Sequence, residues 1–424
     1  MLVVVLVVTF AALMLRGPAI RQNFTIDESR WISTSRYFWI TFLDRDLFGP
    51  AWQPNYIVLT HPPVARYVIG YGLWLQGWSP EQLNGRYDSL ESRAYNERLG
   101  NVPSAELLAA ARRVTFVFGV AAVALMYGIG RVLGGQLAGL AAAALTLCNP
   151  LLTTIWTRAL AESIVATFGL TTLLLSLLVF PHVARLRRFL WVPLVIGVAL
   201  ALGTATKLNG AMGAVGLGLF MLVQQGLSLA MTRKTAGFRS WVDVALAATI
   251  VFVMVNPLLY VNPVERAVAL YQHRQDEMEF QRSVFSDQAV ALDITSRVAR
   301  VGRRAFDTWA TPESGLPVSP DVVLVPAGLL LLGWRTVRGL LQRHAGQPLL
   351  FLCWTLATYA IVTVNLGFDS SHYFGPLVSL NMVLGGLALV AGFRGLWRVA
   401  RGRPVARPVP ASVSEVPGTQ QEER

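Results

Sequence analysis

Residues 107–130, LLAAARRVTFVFGVAAVALMYGIG, form an apolar stretch whose only charged side chains are the adjacent Arg112 and Arg113. Because an α-helix rises about 1.5 Å per residue, a run of about 20 apolar residues spans the hydrocarbon core of a bilayer. The stretch therefore predicts a transmembrane helix with a pair of arginines close to one end.

Apolar runs of similar length recur on both sides of this stretch, along almost the whole chain of 424 residues. They lie at 1–20, 137–157, 160–181, 189–206, 211–231, 241–260, 321–334, 348–366 and 374–393. A composition of 54% apolar and 14% charged residues excludes a water-soluble globular protein. The sequence predicts an all-α polytopic membrane protein with about ten transmembrane helices. The run at 1–20 lacks a basic start and a small-residue cleavage site, so we expect a retained helix rather than a signal peptide.

The net charge of +12 is concentrated in short loops that share one side of this topology. Short basic loops stay on the cytoplasmic side of a membrane, so the pattern sets the orientation and does not indicate nucleic-acid binding. The two long loops on the other side are nearly neutral: residues 21–105 carry eight acids and eight arginines, and residues 261–320 carry eight acids and seven arginines. We expect cytoplasmic termini in an inner, plasma-membrane protein and two outer loops.

Two apolar segments of the first outer loop are too short to cross the membrane. A crossing at Val64–Trp78 would invert every later loop, so an interfacial or re-entrant helix is the better interpretation. Trp31–Leu43 has aromatic side chains near one helical face and predicts a second interfacial helix. An aromatic belt without a further role is the alternative for both segments.

The same loop begins with an acidic pair, Asp27-Glu28, a few residues after the first predicted helix. A structural interpretation is available, because Thr25 and Glu28 have the spacing of a capping box. The functional interpretation is a general base, since a carboxylate at the bilayer surface can take the proton of an acceptor hydroxyl. Both interpretations remain open from the residues alone.

Cationic residues also collect at the predicted outer rim, at the depth of the lipid headgroups. They are Arg112, Arg113, Arg158 and Lys207. Each could simply extend towards the headgroups, but guanidinium groups bind phosphate through paired hydrogen bonds and lysine adds a point charge. We expect several of them to converge on one anionic group.

The order of these motifs resembles the membrane glycosyltransferases of the GT-C superfamily, in the branch that contains protein O-mannosyltransferases and the lipid A aminoarabinose transferase. The resemblance is carried by Asp27-Glu28, His61-Pro62-Pro63, Ala111-Arg112-Arg113-Val114-Thr115 with Gly119 and Tyr127, Asn149-Pro150 with Trp156, Arg158 and Glu162, Gly203–Lys207, and His372–Pro376. It covers residues 20–265 well and returns near residue 372. After His61-Pro62-Pro63 the chain has Val64, Ala65 and Arg66, where the family often has Lys or Tyr, so family contacts at those places are not transferred.

The resemblance implies transfer of a sugar from a polyprenyl-phosphate carrier to an acceptor hydroxyl. Inversion at the sugar carbon is expected, because the base activates the hydroxyl on the face opposite the phosphate. Asp27 is the expected base, Glu28 would orient the loop or the acceptor, and Glu162 would share the base role or position the sugar. Arg112, with Arg113 as fallback, and Lys207 are expected on the leaving phosphate. Further substrate-binding residues expected from the resemblance are His61, Arg158, His372 and Tyr373.

This reaction requires no cofactor. A divalent cation held by His61, Asp27 and Glu162 is a less favoured alternative, because no ligand spacing is visible. A transporter and a non-catalytic scaffold of envelope glycan assembly are the rival classes; the charges gather at the rim instead of the midplane, which argues against the transporter.

The predicted organisation has four parts. Residues 1–265 form the catalytic module with the first outer loop at 21–105, 266–320 form a second outer loop that acts as lid or acceptor platform, 321–400 form the C-terminal transmembrane helices, and 401–424 form a disordered cytoplasmic tail. The expected partners are a lipid-linked sugar donor, membrane lipid, and a protein, lipid or glycan acceptor, without nucleic acid.

Overall fold

A computed structural model describes residues 24–180, 191–232, 238–309, 318–342 and 346–401. The predicted first transmembrane helix and the tail from residue 402 lie outside these ranges, as do most of the basic residues of two short loops. Within the described ranges the chain is helical, and its only β pairing is an isolated antiparallel bridge between Ala289 and Phe368.

Sixteen α-helices are numbered here in chain order. They are α1 Ile26–Thr34, α2 Tyr56–Thr60, α3 Val64–Trp74, α4 Arg93–Arg98, α5 Ala105–Gly134, α6 Gln136–Cys148, α7 Pro150–Trp156, α8 Glu162–Val179, α9 Trp191–Thr206, α10 Met212–Thr232, α11 Phe238–Met254, α12 Pro263–Val284, α13 Ile294–Phe306, α14 Asp321–Leu341, α15 Gln347–Asn365 and α16 Gly375–Ala400. Short 3-10 turns lie at Pro50–Trp52, Pro80–Gln82, Leu208–Ala211, Pro257–Tyr260, Ser286–Gln288 and Ser371–Phe374, and a π-helical turn lies at Trp39–Leu43.

Six helices of the described ranges are long and apolar enough to cross a membrane, and a seventh span is formed if the bent pair α6 and α7 is counted as one. The all-α polytopic architecture predicted from the sequence is therefore confirmed, whereas the number of about ten crossings is not. Helix α9 is apolar but shorter, with 16 residues.

Three predicted spans differ from the observed helices. The expected helix 137–157 is broken at Asn149-Pro150, and its two parts are bent by 71° because proline at the start of α7 cannot continue the preceding helix. The expected helix 241–260 ends at Met254 and is followed by a 3-10 turn. The expected helix 321–334 continues to Leu341, through residues that include Arg335 and Arg338.

Small residues let neighbouring spans pack closely. A Cβ atom on Gly130 of α5 would lie 2.9 Å from the Cα atom of Gly139 in α6, and one on Gly197 of α9 would lie 2.5 Å from the carbonyl oxygen of Val244 in α11. These contacts leave no room for a larger side chain. They account for the tight pairing of α5 with α6 and of α9 with α11 in the apolar bundle.

The first loop, residues 24–104 of the described chain, packs against the ends of the spans. Ile32 of α1 and Ile69 of α3 are fully buried in one cluster with Leu107 of α5 and Ile164 of α8. Helix α3 has only 11 residues, too few to cross a bilayer, as predicted for Val64–Trp78. Trp31–Leu43 is not one continuous helix, because α1 ends at Thr34 and a π-helical turn follows.

The second loop brings α12 against α2 of the first loop. Tyr56 of α2 donates a hydrogen bond to Glu277 of α12 at 2.9 Å, and Thr60 lies 3.2 Å from the Nε2 atom of His273. The backbone around Ala289 pairs with the segment before the last span through the bridge to Phe368. Two loops separated by about two hundred residues therefore enclose one space.

Candidate active site

A cavity of about 700 Å³ lies between the two loops and the ends of three spans. Its walls come from α1, α2, α3, the segment 86–90, the start of α8, Lys207, α12 and the segment 368–373. Six of the ten residues that the sequence predicts for the site line this cavity. They are Asp27, His61, Glu162, Lys207, His372 and Tyr373.

The adjacent acids Asp27 and Glu28 have different surroundings. Successive residues of an α-helix point about 100° apart, so two neighbours cannot face the same space. Asp27 is half-buried and lines the cavity, and within the described chain its carboxylate has no ion pair or hydrogen bond. Glu28 is fully buried and points into the contact between α1 and α5.

Glu28 and Arg112 form an enclosed ion pair. Arg112 donates from Nε to Oε1 at 2.6 Å and from Nη2 to Oε2 at 2.7 Å, and the two side chains are 1% and 0% exposed. Glu28 also accepts from the backbone amide of Ala159 at 2.9 Å and from the amide and hydroxyl of Thr25 at 3.1 and 3.2 Å. The carboxylate of Glu28 therefore both caps the start of α1 through Thr25 and pairs with Arg112.

This pair fixes the position of Asp27. Arg112 anchors α1 to α5, and the Ala159 amide ties the same carboxylate to the turn that leads into Glu162. Neither Glu28 nor Arg112 lines the cavity. The structure therefore places the expected phosphate-binding arginine in a helix contact, because a buried guanidinium takes the carboxylate nearest to it.

The other two arginines expected near the phosphate also lie outside the cavity wall. Arg113 is exposed, and its Nε donates to the carbonyl of Ala109 at 3.3 Å. Arg158 is half-buried, and its carbonyl accepts from the hydroxyl of Thr115 at 2.8 Å, which ties α5 to the turn before α8.

Glu162 and Lys207 form a second ion pair, and this one lies at the cavity wall. Lys207 follows α9 directly and has extended backbone, which turns its side chain towards α8. Its Nζ donates to Oε1 of Glu162 at 2.7 Å, and the side chains are 10% and 8% exposed. Within the described residues, Oε2 of Glu162 has no hydrogen-bond partner. The pair is therefore only half satisfied.

His61 is held beside several cations. Its backbone is extended, as expected for the residue before a proline, and its ring stacks on Trp31 with centroids 5.1 Å apart. Burial, followed by the positive charges of Lys207, Arg274 and Arg66, lowers the pKa of His61 well below its usual 6.5. The imidazole is neutral at pH 7 and contributes hydrogen-bonding atoms without charge.

Residues near the last span complete the cavity wall. The Nδ1 atom of His372 lies 2.9 Å from the hydroxyl of Ser370, and its ring packs edge-on against Tyr373. The Tyr373 ring also lies 5.5 Å from Nζ of Lys207. The His372-Tyr373 motif therefore joins the first-half motifs in one site, although more than 160 residues separate it from Lys207.

Helix α12 contributes cavity residues that the sequence did not predict. Arg274 donates to the Tyr373 hydroxyl at 3.1 Å, and Glu277 accepts from Tyr56 at 2.9 Å and from Gln281 at 3.1 Å. Burial and the adjacent Glu277 raise the pKa of Tyr56, which keeps its phenol protonated as a donor. The spacing 274, 277, 281 places these residues on one helical face, and that periodicity was the available signal.

The described ranges also bear on the possibility of a metal site. No group of three or more His, Cys, Asp or Glu side chains there is close enough to hold an ion, and this includes the set His61, Asp27 and Glu162. Cys148 and Cys353 are both free.

Comparisons with known proteins identify a family and structures of similar fold. Residues 51–271 match the model of a family described as dolichyl-phosphate-mannose-protein mannosyltransferase. This range contains His61, Glu162 and Lys207, and it ends within α12. A search of curated proteins finds no match.

Several solved structures have a similar fold. ArnT from Cupriavidus metallidurans bound to undecaprenyl phosphate is 16% identical with a TM-score of 0.56, over 94% of this chain and 62% of ArnT. The apo form of ArnT is 17% identical with a TM-score of 0.53 over the same shares. AglB from Archaeoglobus fulgidus, in complex with an inhibitory peptide and a dolichol-phosphate, is 14% identical with a TM-score of 0.53, over 95% of this chain and 52% of AglB. The chain thus spans less than two thirds of either protein.

Proposed function

The chain belongs to the dolichyl-phosphate-mannose-protein mannosyltransferase family, and from this premise we propose that it is a glycosyltransferase. It would move a sugar from a polyprenyl-phosphate carrier to a hydroxyl of a protein, lipid or glycan acceptor. The cavity would face the non-cytoplasmic side of the inner membrane, with both termini cytoplasmic. The basic short loops and the nearly neutral long loops support this orientation.

The observation that carries this proposal is the state of the three carboxylates around the cavity. Glu28 is bound to Arg112 and Glu162 is bound to Lys207, whereas Asp27 faces the cavity without an ion pair in the described chain. A carboxylate that is not engaged by a cation can accept a proton. Asp27 is therefore the general base of the proposed reaction.

In the proposed step, Asp27 takes the proton of the acceptor hydroxyl, and the oxygen of that hydroxyl forms a bond to the anomeric carbon of the sugar. The bond between that carbon and the phosphate oxygen breaks, and the electron pair leaves with the lipid phosphate. Attack from the face opposite the phosphate inverts the anomeric configuration. All atoms are accounted for without a cofactor.

The leaving phosphate would be stabilised by cations of the cavity wall. Lys207 and Arg274 both line the cavity, and both neighbour Tyr373. Preplaced cations of this kind stabilise charge that develops in a site partly closed to water. Because Arg112 is enclosed with Glu28, we assign this pair the positioning of α1, and we assign Arg274 the role that the sequence suggested for Arg112.

Glu162 and the two histidines complete the arrangement. Glu162 holds Lys207 through one oxygen, and its second oxygen, which is buried and has no hydrogen-bond partner in the described chain, would accept from a sugar hydroxyl. His61 and His372 line the same wall. As neutral or weakly charged rings, they would hydrogen-bond the sugar or phosphate and would orient it between Asp27 and Lys207.

Replacing Asp27 by Asn tests the proposal. Purified membranes would receive a panel of undecaprenyl-phosphate-linked and decaprenyl-phosphate-linked radiolabelled hexoses and pentoses, and transfer to endogenous acceptors would be measured. Loss of a general base is expected to slow transfer by about 10²- to 10⁴-fold. Asp44→Asn is the matched control, since Asp44 is exposed in the same loop and lies outside the cavity wall.

The outcome separates the competing functions. Transfer that is unchanged in Asp27→Asn would remove Asp27 as the base. Substrate-dependent ion flux without sugar transfer by the wild-type protein would favour a transporter instead. Absence of both activities, with binding of lipid-linked sugar retained, would favour the scaffold.

A further inference from the structure

Helix α12 places a carboxyl group in the cavity wall that the proposed reaction does not use. Glu277 lines the cavity, and its residue surface is only 6% exposed. Within the described ranges, no Lys, Arg or His nitrogen lies within ion-pair distance of this carboxyl group. A mostly buried carboxyl group without a cation requires hydrogen-bond donors, either from the protein or from a bound molecule.

The donors that the protein supplies reach only one of the two oxygens of Glu277. Its Oε1 atom accepts from the Tyr56 hydroxyl at 2.9 Å and from Nε2 of Gln281 at 3.1 Å. The Oε2 atom has no hydrogen-bond partner in the described chain, and it keeps accessible surface where Glu277 borders the cavity. A molecule in the cavity can therefore reach Oε2.

A chain of hydrogen bonds holds the carboxyl group in this orientation. Nη2 of Arg274 donates to the Tyr373 hydroxyl at 3.1 Å, and this hydroxyl donates to Oε1 of Gln281 at 3.4 Å. Gln281 in turn donates to Glu277, which Tyr56 holds from the first loop. Both ends of the Gln281 amide are occupied in this chain. Gln281 and Tyr56 therefore support Glu277 and leave its Oε2 atom for a ligand.

Glu277 differs from the two carboxylates that already have a role in the proposed reaction. Asp27 has neither an ion pair nor a hydrogen bond in the described chain, as suits a base that takes a proton. Glu162 holds a cation, and its free oxygen is enclosed. Glu277 combines a fixed orientation with an accessible oxygen. This combination suits a hydrogen bond from a substrate hydroxyl, because a hydroxyl supplies one donor to a carboxylate oxygen.

The position of Glu277 relative to the proposed phosphate site indicates which hydroxyl this is. Arg274, which we assign to the leaving phosphate, lies one turn before Glu277 on α12. Side chains three positions apart on a helix are neighbours, with Cβ atoms about 5–6 Å apart. In a sugar phosphate, the ring hydroxyl nearest to the phosphate is the one on the carbon next to the anomeric carbon. A sugar whose phosphate contacts Arg274 therefore brings its 2-hydroxyl close to Glu277.

We propose that Oε2 of Glu277 accepts a hydrogen bond from the 2-hydroxyl of the transferred sugar, so that the protein selects donors with a free hydroxyl at this carbon. A 2-deoxy sugar leaves Oε2 without a partner, and a 2-acetamido sugar places a bulkier group against it. This inference rests on the proposed function and adds the class of sugar to it. Hydrogen bonds to the 2-hydroxyl strengthen in the transition state, so Glu277 contributes to the rate of transfer as well as to affinity.

Paired donors test the inference in membranes that contain the full chain. The probes are undecaprenyl-phosphate-linked mannose, glucose and arabinose, each with its 2-deoxy analogue, and kcat/KM is measured for both members of a pair. The ratio of the two values is compared between Glu277→Gln and the wild type, which cancels the intrinsic difference in reactivity. We expect the ratio to fall by about tenfold to a hundredfold in the variant, the range for a lost hydrogen bond to a charged group. Transfer of the 2-deoxy sugar should change little.

Three further variants separate this role from a structural one. Glu279→Gln removes an exposed acid of α12 outside the cavity wall and should keep the wild-type ratio. Tyr56→Phe removes the contact between the loops but leaves Oε2, so it should slow both donors by a similar factor and keep most of the ratio. Glu277→Asp retains a shorter carboxyl group and should give an intermediate ratio. It keeps the test valid if Glu277→Gln does not fold.

Four outcomes would contradict the inference. An equal loss of transfer from both donors in the two Glu277 variants would leave Glu277 only the role of joining the loops. A fall of the ratio in Glu279→Gln as large as that in Glu277→Gln would make the effect one of general charge. Preference of the wild type for a 2-amino sugar over the 2-hydroxyl sugar, lost in Glu277→Gln, would assign Glu277 to a cationic substrate. Transfer that depends on Asp27, with an unchanged ratio in both Glu277 variants, would refute only this inference, whereas a wild-type chain that transfers none of the sugars would refute the proposed function as well.

Discussion

The two ion pairs Glu28–Arg112 and Glu162–Lys207 have nearly the same length and opposite surroundings. The contacts measure 2.6 and 2.7 Å. Glu28 uses both oxygens for Arg112, Thr25 and Ala159, and the pair is enclosed. Glu162 uses one oxygen, and the pair borders a cavity of about 700 Å³.

This difference separates a structural pair from a functional one. A carboxylate whose acceptor sites are all filled cannot bind a substrate without breaking the contacts that hold α1 on α5. A half-satisfied pair at a cavity can still bind a ligand, because Glu162 has one oxygen without a hydrogen-bond partner in the described chain. Ion-pair length alone gives no information on which of the two roles applies.

Glu28→Gln should cause the largest loss of stability. The substitution removes the negative charge that Glu28 places beside the buried guanidinium of Arg112, which is expected to lower the free energy of unfolding by about 3–5 kcal/mol. Denaturation in detergent micelles, followed by tryptophan fluorescence, would measure the change. Transfer activity should fall too, since Asp27 lies on the same helix as Glu28.

A double variant controls for the removal of charge. Glu28→Gln combined with Arg112→Met removes both buried charges and should recover part of the lost stability. Glu91→Gln removes an exposed acid of the same loop and should have little effect. A loss in Glu28→Gln no greater than that in Glu91→Gln would contradict the structural role of the pair.

Glu162→Gln should cost less stability and should change ligand binding. The amide oxygen can still accept from Lys207, and the pair borders a cavity, so we expect a loss of about 1–2 kcal/mol in the free energy of unfolding. Lys207 is then released from a competing carboxylate, and undecaprenyl phosphate should bind a few-fold more tightly while transfer slows. Equal stability losses in Glu162→Gln and Glu28→Gln, in the same denaturation measurement, would remove the distinction between the pairs.

The fold was predictable from the sequence where the signal is local. Apolar runs gave the spans, and the turn-forming dipeptide Asn149-Pro150 marked a break that run length alone concealed. The predicted span ended before Arg335, yet α14 continues to Leu341. Arg335 is accommodated there because its Nη1 donates to the carbonyl of Leu133 near the end of α5 at 2.8 Å.

The site was predictable in part. Motif order brought Asp27, His61, Glu162, Lys207, His372 and Tyr373 to one cavity, but it could not tell which carboxylate each cation would bind. That choice depends on contacts between distant segments, such as Arg112 with Glu28 across 84 positions. Arg66 stood in an apolar segment and had no local pattern that identified it as part of a cation-lined wall. Arg274 shares a helical face with Glu277 and Gln281, a periodicity that motif order alone did not reveal.

The smallest expected effect is the change in the free energy of unfolding with pH. This change tests whether the positive charges around the cavity act on His61. In the enclosed pair the charges of Glu28 and Arg112 cancel. At His61, burial is the largest cause of a pKa well below 6.5, and the positive charges of Lys207, Arg274 and Arg66 lower the pKa further. Below pH 6.5 the unfolded chain therefore binds a proton that the folded chain does not, and the free energy of unfolding falls as pH decreases. Above pH 6.5 His61 contributes its full stabilisation.

His61→Gln removes this proton-linked contribution. Between pH 7.5 and 5.5, its free energy of unfolding should decrease by about 1 kcal/mol less than that of the wild type, because pH 5.5 lies one unit below the unfolded pKa. The lost stacking on Trp31 lowers stability at every pH, so the slope and not the absolute value is compared. Between pH 7.5 and 8.5 the two curves should be parallel, which serves as the internal control. Parallel curves down to pH 5.5 would mean that His61 is not held neutral and that the cavity cations are already compensated.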